Sequence, residues 1–140
     1  MQLELITLAG PKLSTKVYQA TLPTLDGQIS VYPDHEALVT IAKPGVIVVR
    51  YRQEDGDDKL DYLAIGGGVV EISGERIRIL VDEAELGEDI AEDESRAALA
   101  RAEAMRDSAG DQIELEKAHQ LIDRHRVRLK VAELRRRKRR

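Results

Sequence analysis

The sequence predicts an α+β fold, with an N-terminal β-sandwich over residues 1–84 and a C-terminal antiparallel two-helix hairpin over residues 85–140. The first part consists of short β-branched segments separated by glycine and proline, as an all-β domain requires. After Val81 alanine replaces valine, and apolar residues recur at helical spacing. A length of 140 residues suits one compact domain with an appendage and excludes a large multidomain enzyme.

Four strands are predicted in the first third of the chain, over residues 3–8, 18–22, 28–32 and 37–42. Pro11 ends the first alternating run, because proline cannot donate a hydrogen bond to a β-ladder. Asp26-Gly27 is a dipeptide typical of hairpin turns, and the segment after it alternates with period two.

Four more strands are predicted over residues 46–52, 60–65, 69–72 and 76–81. The apolar opening of the first, residues 46–49, predicts burial on both faces. Three glycines at 66–68 lack the Gly-Lys-Ser/Thr ending of a phosphate-binding loop, so a close approach between strand backbones explains them better.

Two helices are predicted to complete the chain. The first covers residues 92–105, with an acidic first turn and an inner stripe of Ala97, Ala100 and Ala104. The second reaches to about residue 137, and its inner seam comprises Leu115, Ala118, Ile122, His125, Leu129 and Ala132. Small and polar residues in this seam bury little apolar area, so we expect a weakly held hairpin. Two interpretations stay open, a two-state switch and a frayed appendage.

The composition excludes several classes of site. Aromatic residues make up 3% of the chain, with no Phe or Trp, so the core should be aliphatic. The absence of cysteine excludes disulfides, thiolate zinc sites, iron–sulfur clusters and cysteine nucleophiles. The three histidines are too far apart in sequence for a metal-ligand motif, so we expect no metal site. An acidic start and the lack of an apolar run of about 18 residues predict a soluble chain that is not exported.

Charge is sorted along the sequence. Residues 1–83 carry 8 Lys and Arg against 13 Asp and Glu, whereas from Arg124 onward ten basic residues face the single acid Glu133. A basic C-terminal segment of this kind can bind nucleic acid, anionic lipid or an acidic protein surface, and its charge alone does not distinguish among these partners.

Three segments carry a family resemblance. Residues 25–40, LDGQISVYPDHEALVT, are followed by the turn Lys43-Pro44-Gly45, and the pattern continues through 63–71 and 79–85. In order and spacing these segments resemble the epsilon subunit of F-type ATP synthase, over nearly the whole chain. The resemblance implies a ten-stranded β-sandwich that contacts the central-stalk subunit gamma and the ring of c subunits.

The resemblance also implies a function without catalysis and without a required cofactor. The chain would be a rotor subunit of the proton-translocating synthase, and its hairpin would inhibit ATP hydrolysis. The lack of a transit peptide favours a bacterial subunit on the cytoplasmic face of the inner membrane, and a plastid-encoded homologue would also lack one. Predicted contacts with the c ring or gamma are Gln28, Ser30 and His35. Gln28 is neutral at a position where the family commonly has an acid.

A regulatory ATP site is a further implication of the resemblance. Several family members bind ATP through Ile/Leu-Asp-x-x-Arg-Ala early in the first helix, helped by arginines of the second. This chain keeps Asp93, Arg96 and Ala97 of that motif but has Glu92 in the aliphatic position. Arg124 and Arg128 match the second-helix arginines, whose guanidinium groups suit phosphate.

The resemblance also implies a role for the basic end. In the inhibitory state of the family, the second helix extends along gamma toward an acidic segment of the beta subunit. There it can contact the alpha and beta subunits. The residues placed to supply that attraction are Arg124, Arg126, Arg128, Lys130 and Arg135, followed by a tail that runs to Arg140. Salt would screen such attraction over roughly 10 Å at 0.1 M.

The sequence also bears on two other functional classes. A free adaptor or nucleic-acid-binding protein could use the basic helix to neutralise phosphates. The net charge of -4 and the four scattered tyrosines argue against it, because single-strand binding needs stacking platforms. A stand-alone enzyme is disfavoured, since no nucleophile, base and orienting group can be assembled from nearby motifs.

Overall fold

The computed structural model describes residues 1–138 and contains ten β-strands followed by two α-helices. The strands are β1 Gln2–Thr7, β2 Gly10–Lys16, β3 Gln19–Thr24, β4 Gly27–Val31, β5 His35–Ala42, β6 Gly45–Arg50, β7 Asp61–Ile65, β8 Gly68–Gly74, β9 Arg76–Val81 and β10 Ala84–Leu86. The helices are α1 Glu92–Asp107 and α2 Gln112–Lys138. One-turn 3-10 helices at Asp57–Lys59 and Gly87–Asp89 precede β7 and follow β10.

The ten strands form one continuous sheet in the order β10-β7-β6-β3-β5-β8-β9-β1-β2, with β4 added beside β3. The first strand lies next to the ninth, and β1 and β9 are the one parallel pair among the strand pairs of this sheet. The sheet folds over itself as a nearly closed β-sandwich, which confirms the predicted architecture.

The core of the sandwich is aliphatic, as the composition predicts. Its fully buried large side chains include Leu3, Leu5, Leu22, Ile47, Ile77 and Ile79. Val46 and Val48 of β6 point the other way and are half-buried beneath α2. The prediction that this strand is covered on both faces is therefore confirmed.

The sequence pattern missed two of the ten strands, β2 and β10. β2 is an edge strand whose exposed positions include Lys12, Ser14 and Lys16, so it lacks the apolar alternation of a half-buried strand. β10 has only three residues and pairs with β7 at the opposite edge. The last strand of the sandwich ends at Leu86.

Close packing of backbone explains one of the three glycines at 66–68, Gly68, whereas a side chain on Gly67 would make only ordinary contacts. A Cβ on Gly68 would lie 2.0 Å from the carbonyl oxygen of Leu80, and one on Gly66 would lie 2.1 Å from Asp82 Oδ1. Both distances are far below a van der Waals contact, so a side chain cannot be accommodated at either position without a shift. The prediction of close backbone approach is confirmed at Gly68.

The predicted inner stripe of α1 is wrong. Ala97, Ala100 and Ala104 are exposed, and the buried residues of the helix are Ser95 and Ala102. Alanine occurs on every side of α1, so residue type gives almost no contrast between its faces. Leu99, the one leucine of the helix, is half-buried beside the true inner face.

The predicted inner seam of α2 is confirmed. Ala118, Ile122 and His125 are buried, and the other members of the seam are half-buried. An ion pair between Arg136 and Glu92, 3.3 Å apart, joins the end of α2 to the start of α1 and shows that the helices are antiparallel.

Candidate functional site at the hairpin–sandwich interface

α2 docks on the sandwich through a narrow apolar contact, here called the docking strip. At its centre Val131 is completely buried against Tyr62 and Ala64 of β7. The half-buried margin of the strip consists of Val46, Val48, Leu60, Ile90, Val127 and Leu134. α2 thus has a second apolar face beside the hairpin seam, and the sequence pattern did not separate the two.

Two arginine–glutamate pairs flank the docking strip. Two nitrogens of the Arg128 guanidinium group donate to Glu85 of β10, Nε to Oε2 at 2.5 Å and Nη2 to Oε1 at 2.8 Å. The hydrogen bonds to Glu85 raise the pKa of Arg128, so this arginine stays charged. Arg124 Nη2 lies 3.0 Å from Glu83 Oε2 at a more exposed position. A two-point guanidinium–carboxylate contact fixes orientation as well as distance.

The last turn of α2 is held by backbone oxygens of the sandwich and the short segment after it. Arg135 Nη1 donates to the carbonyl of Gly87 at 2.7 Å, and Lys138 Nζ donates to the carbonyl of Leu60. These donors satisfy carbonyls at the end of the docking strip. The tail residues Arg139 and Arg140 lie outside the described residues.

α1 is attached to the molecule mainly through α2. Within residues 1–138 it packs along α2 and has no comparable contact with any strand. Between the hairpin and the sandwich lies a cleft of about 680 Å³, whose charged lining includes Lys117, Arg124 and Glu83.

The structure divides the residues predicted to bind ATP between two places. Arg124 and Arg128 line the cleft and already bind Glu83 and Glu85. Arg96 lies in a separate groove of about 280 Å³, where it pairs with Glu92 at 2.9 Å and lies 3.8 Å from the exposed Asp93. Binding of ATP stays a prediction, and this docked arrangement does not bring the four residues together.

The basic residues predicted to inhibit hydrolysis also lie on two faces. Arg124, Arg128 and Arg135 are turned toward the sandwich, as described above. Arg126 and Lys130 are exposed and line the groove on the outer side of the hairpin. The docked hairpin therefore covers part of the positive charge of α2.

The predicted c-ring and gamma contacts lie toward opposite ends of the sandwich. Gln28 follows the turn between β3 and β4 and is exposed there. His35 begins β5, which reaches that same end only at Ala42, roughly 20–25 Å away along the strand. Ser30 is exposed on β4, and its Oγ lies 3.1 Å from Thr21 Oγ1. His35 Nδ1 lies 2.7 Å from the carbonyl oxygen of Glu36.

Two buried polar atoms of the hairpin lack a hydrogen-bond partner within the described chain, namely Ser95 Oγ and His125 Nδ1. Burial and the nearby positive charges of Arg128, Arg124 and Arg101 lower the pKa of His125. Among residues 1–138 there is no group of acidic or histidine side chains arranged to hold a metal ion.

Comparison with known proteins decides the family. Residues 1–87 match the family model for the beta-sandwich domain of the ATP synthase delta/epsilon chain. An ATP synthase epsilon chain from Herpetosiphon aurantiacus is 37% identical over 139 residues, covering 97% of this chain and 96% of its own length. One from Chloroflexus aggregans is 33% identical, covering 100% of this chain and 97% of its own length. The chain belongs to the epsilon-subunit family of F-type ATP synthases.

Solved structures agree with the fold of this epsilon subunit. A chain in the cryo-EM structure of Euglena gracilis mitochondrial ATP synthase, OSCP/F1/c-ring, superposes with a TM-score of 0.77 at 24% identity, covering 94% of this chain and 79% of its own length. A chain of the Tetrahymena thermophila central stalk and c ring superposes with a TM-score of 0.58 at 14% identity, covering 93% of this chain and 94% of its own length.

Family membership confirms the predicted class, a non-catalytic subunit of the synthase, and replaces the adaptor alternative. No helix within residues 1–138 of this epsilon subunit combines the length and apolarity needed to cross a membrane.

Proposed function

We propose that this epsilon subunit joins gamma to the c ring on the cytoplasmic face of a bacterial membrane, and that its hairpin inhibits ATP hydrolysis when it leaves the sandwich. One observation carries the regulatory part. α2 is held on the sandwich by a narrow apolar strip and two arginine–glutamate pairs, a contact small enough to be reversible.

Exposed apolar side chains support the proposed partners. Leu8 and Leu25 are 87% and 64% exposed in turns at the end of the sandwich that carries Gln28, which suits contact with the c ring. A second patch lies on β5, where Val39 and Ile41 are 71% and 54% exposed, and suits contact with gamma. Exposed aliphatic groups in a cluster are typical of a protein interface.

Release of α2 would change the charge that it presents. Arg124, Arg128 and Arg135 would lose their partners on the sandwich and join Arg126 and Lys130 on one helix. A helix that presents these five cations would be attracted to an acidic surface of the beta subunit, and salt would screen that attraction.

The decisive experiment weakens docking without altering α2. Glu85→Gln removes the negative charge and one of the two acceptor oxygens that bind Arg128, and it leaves every basic residue of the helix in place. Loss of a half-buried bidentate pair costs about 1–2 kcal/mol, so the ratio of released to docked hairpin should rise roughly 5- to 30-fold. Hydrolysis by a purified alpha, beta and gamma assembly should then be half-inhibited at a correspondingly lower concentration of the variant.

The matched control is Glu54→Gln, which removes the same charge from the exposed loop between β6 and β7. It should inhibit as the unaltered subunit does. If Glu85→Gln inhibits no better than Glu54→Gln, the docked position does not restrain inhibition. If neither the unaltered subunit nor the variant suppresses hydrolysis, the inhibitory function itself is wrong.

A second variant tests the charge of the helix. The double substitution Arg126→Gln and Lys130→Gln removes two cations that face away from the sandwich, so docking should persist while inhibition weakens. Addition of salt should weaken inhibition in the unaltered subunit as well. Unchanged inhibition in both conditions would show that charge attraction does not hold the released helix.

A further inference from the structure

The hairpin seam contains a buried histidine in an unusual setting. His125 is 8% exposed, lies between the buried seam residues Ala118, Ile122 and the half-buried Leu129, and has no partner for Nδ1 within the described chain. A buried polar nitrogen without a hydrogen bond destabilises the docked state slightly. A buried imidazolium without an acid beside it would destabilise it much more.

Charged groups on three elements act on His125. Arg101 approaches from α1, Arg124 and Arg128 belong to α2, and Glu85 belongs to β10. The one acid among these groups, Glu85, already accepts hydrogen bonds from Nε and Nη2 of Arg128. A proton on His125 would therefore meet three guanidinium groups and no uncommitted carboxylate.

We propose that protonation of His125 opens the seam between α1 and α2 and frees α1, which makes the hairpin of this subunit sensitive to mild acid. The importance of this opening for hydrolysis rests on the proposed function, but the opening itself does not. α1 depends on α2 for its position, because it has no comparable contact with the sandwich within residues 1–138.

The direction of the effect follows from proton linkage. The docked state favours neutral imidazole, since burial and the arginines lower the pKa of His125 below its usual value of about 6.5. The stabilisation of the closed seam is complete above pH 6.5 and is lost as pH falls below that value. With one proton taken up per opening, the open-to-closed ratio rises by up to about tenfold per pH unit.

Carboxylates cannot produce this effect in the same range. Carboxyl groups ordinarily titrate near pH 4, whereas histidine is the side chain that titrates between pH 5 and 8. His119 lies on the exposed surface of the same helix and is the matched control.

The test uses the full chain with one dye on α1 and one on the sandwich. Ala100 and Ser73 are exposed, and the chain has no cysteine, so Ala100→Cys and Ser73→Cys give two unique labelling positions. Energy transfer between the dyes should fall from pH 7.5 to pH 5.5. His125→Gln should abolish the fall, and His119→Gln should leave it intact.

An unchanged transfer efficiency from pH 7.5 to 5.5 would overturn the proposal, as would a fall that persists in His125→Gln. If His125→Gln is open at every pH, the imidazole resonances of the unaltered chain decide. The pKa of His125 must lie below the usual imidazole value of about 6.5 and its titration must accompany the fall in transfer, and titration at the usual value would overturn the proposal. Because these measurements contain no other subunit, a failure of inhibition leaves them unaffected.

Discussion

Truncation of Val131 isolates the apolar part of hairpin docking from its ion pairs. The side chain is completely buried between α2 and β7. Val131→Ala removes two methyl groups, each worth about 0.8 kcal/mol of burial, and leaves a small cavity. We expect the free energy that holds α2 on the sandwich to fall by about 2 kcal/mol, which increases its opening roughly 30-fold.

Native-state hydrogen exchange measures this loss directly. Amides of α2 report local opening of the hairpin, whereas amides of buried sandwich strands report global unfolding. Protection should fall in α2 and stay unchanged in the edge strand β2, whose local opening does not break this contact. The matched control is Val127→Ala, one turn away at the half-buried margin of the strip, where the loss should be about 1 kcal/mol. No effect of either substitution would show that the ion pairs alone hold the helix, and equal losses would show that the buried centre at Val131 contributes no more than the margin.

Two further predictions concern the sandwich. Gly68→Ala should destabilise it by about 3 kcal/mol in chemical denaturation, because the new Cβ meets the backbone of β9, whereas Gly56→Ala, which meets only the mobile Asp58 carboxylate, should cost less than about 0.5 kcal/mol. Burial, together with the hydrogen bond to and negative charge of Asp61, raises the pKa of Tyr51. The stabilisation from this neutral phenol is complete below pH 10 and is lost as pH rises further, so Tyr51→Phe should remove the most alkaline step from the phenolate absorbance titration.

The strands could be predicted from the sequence wherever buried and exposed positions differ in residue type. The strands around Val31, Ile47 and Ile79 alternate or run apolar because they face an aliphatic core. β2 and β10 could not be predicted from hydrophobic patterning because edge strands bury few side chains. The prediction of ten strands came from the family resemblance alone. In α1, alanine on every face removed the contrast that identifies an inner stripe.

Less of the hairpin–sandwich interface than of the fold could be predicted from the sequence. The seam of α2 could be read from its spacing, but the docking strip around Val131 interleaves with it on the same helix. Arg128 and Glu85 are separated by 43 residues, and no periodicity links positions so far apart in a chain with this many charges. Sequence identified the arginines as functional candidates, and only the fold showed that three of them face the sandwich.

The parallel pairing of β1 with β9 also sets an order of folding. Gln2 and Arg76 are register partners, so the first strand stays without this neighbour until more than half of the chain has been synthesised. Closing a loop of this length is slow, whereas α1 and α2 form through local contacts. On a ribosome that adds about 5–20 residues per second, the sheet therefore gains its final neighbour before α2 emerges. The surface that receives the hairpin is complete before the hairpin exists, so the hairpin is the last part of the subunit to fold into place.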